Sequence, residues 1–214
     1  MANQIQFIIF DLGGVLVELD GPAKMLEWCP KISSMPELWR RWLACDAVRR
    51  YESSEWDTQA FADHIVADFK LPVSSAEFLD NFAKWPRQLY PGAAALVETL
   101  QTRHRVSCLS NTSALHWARM RDHMGIENLF PEPFLSFRMG MMKPDANIYS
   151  TVVERLGAAP EQVLYFDDNQ INVDGARAIG INAHRVDGVI GATHVLAQVG
   201  ILSNTTLHPV ESRL

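Results

Sequence analysis

The chain is poor in cysteine, has no repeat and carries no basic excess. Its three cysteines, Cys29, Cys45 and Cys108, lie far apart, and no C-x-x-C pair occurs. This excludes a zinc ribbon and a dithiol redox site, and it fits reduced, mostly buried thiols in a cytosolic protein. The formal net charge is -6, from 25 acidic against 19 basic side chains. The electrostatic footprint of a nonspecific nucleic-acid binder is therefore missing. A phosphorylated ligand stays possible, because a site needs only local positive charge. There is no basic amino-terminal region and no long apolar stretch, and the run at 7–10 is too short for a signal sequence or a membrane span. The expectation is a cytoplasmic protein with no membrane partner, for which the Asn204-Thr205-Thr206 sequon carries no weight.

What is present is ordinary globular material: 48% hydrophobic and 21% charged residues in a chain of 214. That length can bury a full core without staples. Short strand-like runs occur at 7–10, 106–109, 134–137, 163–166 and 181–186. Helix-length amphipathic stretches at 93–101, 114–123, 148–156 and 173–179 alternate with the later runs, and Gly157 and Gly180 close two of them. Alternating strand and helix implies βαβ units, an α/β fold and a parallel sheet covered on both faces. Residues 19–90 break the rhythm. They lack strand runs and hold five of the six tryptophans, Trp28, Trp39, Trp42, Trp56 and Trp85. Leu38, Trp39, Trp42 and Leu43 recur at helical spacing, as do Phe61, Ile65, Val66 and Phe69. The reading is a small helical insert whose aromatics mostly build its own core. The expected division is a core of 1–18 and 91–202, an insert of 19–90, and a disordered polar tail of 203–214.

Four stretches carry chemistry. Phe7-Ile8-Ile9-Phe10 delivers Asp11 to Leu12-Gly13-Gly14, and ligands of open α/β sheets bind just beyond the carboxyl ends of strands. Leu109-Ser110-Asn111-Thr112 places a hydroxyl and an amide at a strand end before a helix, where an anion can bind. Thr112 and Ser113 fit a helix cap equally well. Gly140-Met141-Met142-Lys143-Pro144-Asp145 fixes a lysine ahead of a helix. Tyr165-Phe166-Asp167-Asp168-Asn169, closing with Asn172, sets two acids side by side. Such charges repel by about 4 kcal/mol at 4 Å with an effective dielectric of 20, and a helix cap needs only one acid. Oxygen-rich carboxylate sites with room for water and phosphate suit Mg²⁺.

In order and content these stretches resemble the haloacid dehalogenase-like superfamily, most of whose members are phosphatases. The resemblance spans roughly residues 7–186. Phe10-Asp11-Leu12-Gly13, Leu109-Ser110-Asn111-Thr112, Gly140-Met141-Met142-Lys143-Pro144, Ile148-Tyr149 and Asp167-Asp168-Asn169 are most similar to the branch of bacterial sugar-1-phosphate phosphatases. The phosphatase domain of soluble epoxide hydrolase is a related branch. Tyr51-Glu52, Trp56 and Phe61 resemble a cap-helix motif, with Ser54 in place of the more usual glycine.

The resemblance implies a Rossmann-like doubly wound parallel sheet with an α-helical cap inserted after the first strand. It implies a Mg²⁺-dependent phosphatase acting on a small soluble phosphomonoester, such as a sugar phosphate, through an aspartyl phosphate. Asp11 is then the nucleophile. Asp11, Asp168 and the Gly13 carbonyl hold the metal, Asp167 acts through a metal-bound water, and Lys143 and the cation supply counter-charge. Ser110 and Asn111 hold phosphoryl oxygens, and Asn172 orients Lys143 or the metal waters. Gly13 stands where relatives commonly carry the acid that protonates the leaving group, a role worth about 10²–10⁴-fold. Glu52 or His116 is the expected substitute, unless the leaving group is good enough to need none or activity is low. Arg41, Arg49 and Arg50 could meet substrate oxygens, though solvated surface explains at least two of them. Haloacid dehalogenation, a phosphoglucomutase-like transfer and a noncatalytic phospho-ligand binder are the alternatives. Monomer and homodimer are both compatible with the sequence.

Overall fold

The structure is a computed structural model that describes residues 5–203. Its centre is β1 (Phe7–Phe10), four apolar residues buried on both faces. β4 (Arg105–Ser110) pairs with one side of it and β6 (Val163–Asp167) with the other, both parallel. β5 (Phe134–Leu135) and β7 (Asn182–Arg185) complete a parallel sheet of order β5-β4-β1-β6-β7. Alternation along β1 splits the core. Ile8 and Phe10 pack with Val97, Trp117 and Phe130 on one face; Phe7 and Ile9 pack with Ile148, Tyr149 and Val173 on the other. A strand buried on both faces reads as a solid apolar run.

The connections run outward from β1 in both directions, so the strand order reverses there. In open α/β sheets that reversal opens a crevice at the strands' carboxyl ends. The register puts Phe10 opposite both Cys108 and Phe166, so Asp11 emerges beside the ends of β4 and β6. Helices α6 (Ala93–Gln101), α7 (Ala114–Met124), α8 (Ile126–Leu129), α10 (Ala146–Leu156), α11 (Gln170–Ala178) and α12 (Gly188–Gln198) cover the sheet.

Residues after β1 form a second layer of helices: α1 (Gly21–Trp28), α2 (Met35–Leu43), α3 (Asp46–Glu52), α4 (Thr58–Phe69) and α5 (Ser75–Phe82). Their apolar faces share a separate core around Trp42, whose ring lies 4.8 Å from Trp85 and 5.8 Å from Phe82 between centroids. Tyr51 stacks on Phe61 at 4.2 Å. Most of these aromatics are buried in that core; Trp39 and Trp56 are only half-buried, and Leu43 beside them in the pattern is exposed.

Two local expectations need correction. The stretch 19–90 contains a strand after all: β3 (Pro86–Leu89) pairs antiparallel with β2 (Val17–Leu19). The ribbon is short, half of it is polar, and Pro86 falls at a register shift, so no apolar alternation marks it. The run 134–137 is a strand for two residues only. Ser136 then opens a helical turn, α9 (Ser136–Met139), because its buried hydroxyl turns back to the β4 loop. It accepts from the Thr112 N–H and donates to the Thr112 carbonyl, both at 2.9 Å. The tail beyond Ser203 lies outside the described residues.

Candidate active site

The carboxyl ends of β1, β4 and β6 bring Asp11, Ser110 and Asp167 together, and the loop before α10 supplies Lys143. Lys143 is almost wholly enclosed. Its Nζ lies 2.9 Å from Asp11 Oδ1 and 2.7 Å from Asp167 Oδ2, and it donates to the Leu109 carbonyl at 3.1 Å. Burial works against its charge, but the two carboxylates outweigh that and hold the ammonium above its ordinary range. Its backbone is clamped as well. The Lys143 N–H donates to Asn111 Oδ1, and Asn111 Nδ2 donates to the Lys143 carbonyl, both at 2.9 Å. Asn111 therefore places the lysine and keeps one amide N–H for a ligand. Ser110 Oγ makes only a marginal 3.5 Å contact with the Asn111 carbonyl and lines the cavity described below.

Asp167 is fully buried and saturated. It accepts from Lys143, from the Tyr165 hydroxyl, from the Asn169 N–H at 2.9 Å, and from Asn172 Nδ2 at 3.0 and 3.1 Å. It is absent from the cavity wall. Its bonds anchor Lys143 and Asn172, while its oxygens stay close to those of Asp11 and Asp168. Asn172 likewise reaches Lys143 through Asp167.

Oxygens of Asp11, Asp167 and Asp168 all lie within 4.8 Å of one another. Burial, aided by Asp167 and Asp168 and opposed by Lys143, pushes Asp11 up to about 8. Enclosure and the neighbouring Asp167 push Asp168, which reaches into the cavity, to about 6. Three carboxylates thus share one buried ammonium. This excess of hard oxygen donors over positive charge fits a Mg²⁺ ion. Gly14 makes room for the Asp168 carboxylate: at φ +72° it has left-handed backbone, and a Cβ there would stand 2.3 Å from Asp168 Oδ2.

The raised pKa values fix a pH dependence. Between the ordinary carboxyl value of 3.8 and about 8, the folded protein without a cation holds a proton on Asp11 that the unfolded chain has lost. Stability contributed by this group therefore falls as pH rises through that window. A divalent cation binds the ionised form and offsets the loss. We expect the rise in melting temperature on adding Mg²⁺ to grow from pH 5 to pH 8 in a thermal-shift series. A pH-independent shift would contradict this.

Above the acids lies a cavity of about 860 Å³ whose wall includes Asp11, Gly13, Ser110, Asn111, Lys143 and Asp168. Glu52, at the end of α3, reaches the same cavity. Enclosure pushes its carboxyl up to about 7, against the pull of Lys143. The end of α3 is tied to the sheet side by an ion pair of Arg49 with Asp145 and by a 2.8 Å hydrogen bond from Ser54 Oγ to the Phe137 carbonyl.

His116 also borders the cavity, but its Nε2–H donates to the Phe82 carbonyl at 2.7 Å, and burial lowers it to about 4. It is a neutral tie between α7 and α5, which removes it as a proton donor at neutral pH. Ser113 caps α7 by accepting from the His116 N–H. None of the three arginines singled out from the sequence lines the cavity. Arg41 contacts Asp68 and the Phe69 ring, Arg49 pairs with Asp145, and Arg50 pairs with Asp46. Arg40 reaches the cavity instead, together with Pro36, Trp39 and Leu43. Their spacing of three, four and seven residues is the signal that could have found this face.

A family model described as haloacid dehalogenase-like hydrolase matches residues 5–180. "Phosphatase MT3486" of Mycobacterium tuberculosis is 27% identical over 191 residues, covering 86% of this chain and 88% of the relative. The "Phosphorylated carbohydrates phosphatase" of Thermotoga maritima is 29% identical over 102 residues, 47% of this chain and 46% of that protein. The crystal structure of a HAD family enzyme from Bacteroides thetaiotaomicron aligns with TM-score 0.74 at 23% identity, covering 90% of this chain and 98% of that one. The same enzyme is also known in complex with magnesium and inorganic phosphate. Among the described residues no helix is long and apolar enough to cross a membrane.

Proposed function

Because the chain belongs to the haloacid dehalogenase-like hydrolases, we propose that it is a phosphatase that hydrolyses a small phosphomonoester with Asp11 as nucleophile. The observation that carries this reading is the buried Lys143 held between Asp11 and Asp167, with Asp168 beside them and an open cavity above. The relative named a phosphatase and the related enzyme bound to magnesium and phosphate support it. Residues 19–90 are the cap of this enzyme, and 1–18 with 91–202 its catalytic core.

Asp11, Asp168 and the Gly13 carbonyl would hold Mg²⁺. When bound, the cation supplies counter-charge to the carboxylates and to the transferring phosphoryl group. Lys143 lends a fixed positive charge beside the nucleophile. Ser110 Oγ and the remaining Asn111 N–H donate to phosphoryl oxygens. An Asp11 oxygen attacks phosphorus and the ester P–O bond breaks, leaving an aspartyl phosphate. The departing oxygen takes a proton from Glu52, the acid that Gly13 does not provide. Glu52, now a carboxylate, accepts a proton from the water that attacks phosphorus and releases Asp11. A donor with a pKa of about 7 is poised for both directions at neutral pH.

Phosphate release from p-nitrophenyl phosphate, with Mg²⁺ and with EDTA, tests the reading. Turnover only with Mg²⁺ is expected. Turnover in EDTA would favour dehalogenase-like chemistry, and none in either condition would favour a binder. For Glu52→Gln we expect alkyl phosphates to lose roughly 10²–10⁴-fold in kcat. p-Nitrophenyl phosphate, whose leaving group needs no proton, should lose far less. Equal losses on both would remove Glu52 from the proton-transfer role.

A further inference from the structure

We infer that the organic group of the substrate is an extended aliphatic chain, as in an alkyl or isoprenoid monophosphate, and that one face of α2 with the cavity rim forms its subsite. This rests on the phosphatase reading and concerns the apolar part of the cavity wall. The wall there is built from Leu19, Pro36, Trp39, Leu43, Trp85 and Ile171.

Three of these side chains are apolar yet left open to solvent: Leu19 at 39%, Leu43 at 58% and Ile171 at 60%. They belong to β2, α2 and α11 respectively, so three separate elements turn a large hydrophobe toward one opening. Among the described residues only Ile190 and Val199 are comparably exposed, and neither touches the cavity. Scattered exposed hydrophobes are ordinary, but a convergent set around a ligand cavity marks a surface that a ligand covers.

The polar groups of the wall include Asp11, Ser110, Asn111, Lys143 and Asp168 at the phosphoryl end. Of the others on the sheet side, Gln170 is bonded to Asp174, Asn169 caps Ile171, and Arg185 donates to the Asp168 carbonyl. The cap adds Arg40 and Glu52. A hexose would bring several hydroxyls against tryptophan, leucine and proline surface, and each hydroxyl enclosed without a partner is unfavourable. An aliphatic chain there removes apolar surface from water on both sides. A sugar would have to rely on Arg40, Glu52 and the donors that Asn169, Gln170 and Arg185 keep beyond these bonds.

The test is a series of n-alkyl monophosphates from methyl to octyl, with geranyl monophosphate, glucose 1-phosphate, glucose 6-phosphate and p-nitrophenyl phosphate, all assayed with Mg²⁺ below micelle-forming concentrations. We expect kcat/KM to rise about fourfold per added methylene until the cavity is filled, and octyl phosphate to exceed both hexose phosphates at least tenfold. Leu43→Ser and Ile171→Ser, each at an exposed position, should lower the octyl-to-methyl ratio of kcat/KM several-fold, with unchanged melting temperature confirming the fold. A flat chain-length series, or hexose phosphates equal to octyl phosphate, would overturn the inference while the phosphatase reading stands. No phosphate release from any ester, p-nitrophenyl phosphate included, would overturn both.

Discussion

Asp11→Asn should abolish phosphate release and leave the protein folded. The substitution keeps the shape of the side chain and removes its nucleophilic oxygen, so kcat should fall by roughly 10⁴–10⁶-fold, as when a member of a nucleophilic catalytic unit is lost. Stability should not fall with it. Burial and the acids of Asp167 and Asp168 raise Asp11 to about 8, so a neutral amide stands in for the proton held there, while Lys143 keeps Asp167 as its partner. A melting temperature equal to or above that of the parent, with no measurable turnover, is the expected pair of results. Activity within tenfold of the parent would remove Asp11 from the nucleophile's position. A collapse in stability would show that its charge holds the fold together.

Lys143→Met should have the largest effect on stability. It removes the ammonium from between two buried carboxylates and leaves an apolar chain of similar length. Breaking a buried pair from one side costs about 3–5 kcal/mol, because the remaining charge has no partner. Here the cost depends on pH. Without the lysine, Asp11 avoids uncompensated charge only by holding a proton, which is harder in alkaline solution. The variant should therefore lose most at pH 8 and recover part of the loss at pH 5, in urea midpoints measured at both. A loss below about 1 kcal/mol at pH 8 would contradict the ion-pair arrangement. Turnover should vanish at either pH.

How much of this was legible in the sequence depends on how local each signal was. Asp11 was, because β1 is buried on both faces and its apolar run ends abruptly in an acid. Lys143 was, because glycine and proline bracket it within a few residues. Asp167 and Asp168 were told apart only as water-mediated and direct partners of a metal, although strand alternation also puts them on opposite faces. Asp167 shares a face with Tyr165 and bonds its hydroxyl, whereas Asp168 turns into the cavity. The partners of His116 and Asn111 could not be read, since Phe82 and Lys143 lie 34 and 32 positions away. The β2–β3 ribbon escaped notice because Pro86 and Glu18 break any hydrophobic alternation. The cavity face of α2 is not separable in the sequence from its core face, since Trp39 and Trp42, three positions apart, lie on one continuous apolar surface.

The saturation of Asp167 has one more consequence. Four donors pin it before any ligand arrives, so the ammonium it holds is a stationary landmark. A phosphoryl group must come to that point, and the point does not travel with it. Little energy is then spent on rearranging dipoles during transfer. Whatever adjusts on ligand entry must lie on the other side of the crevice, among the helices that carry Glu52 and Arg40.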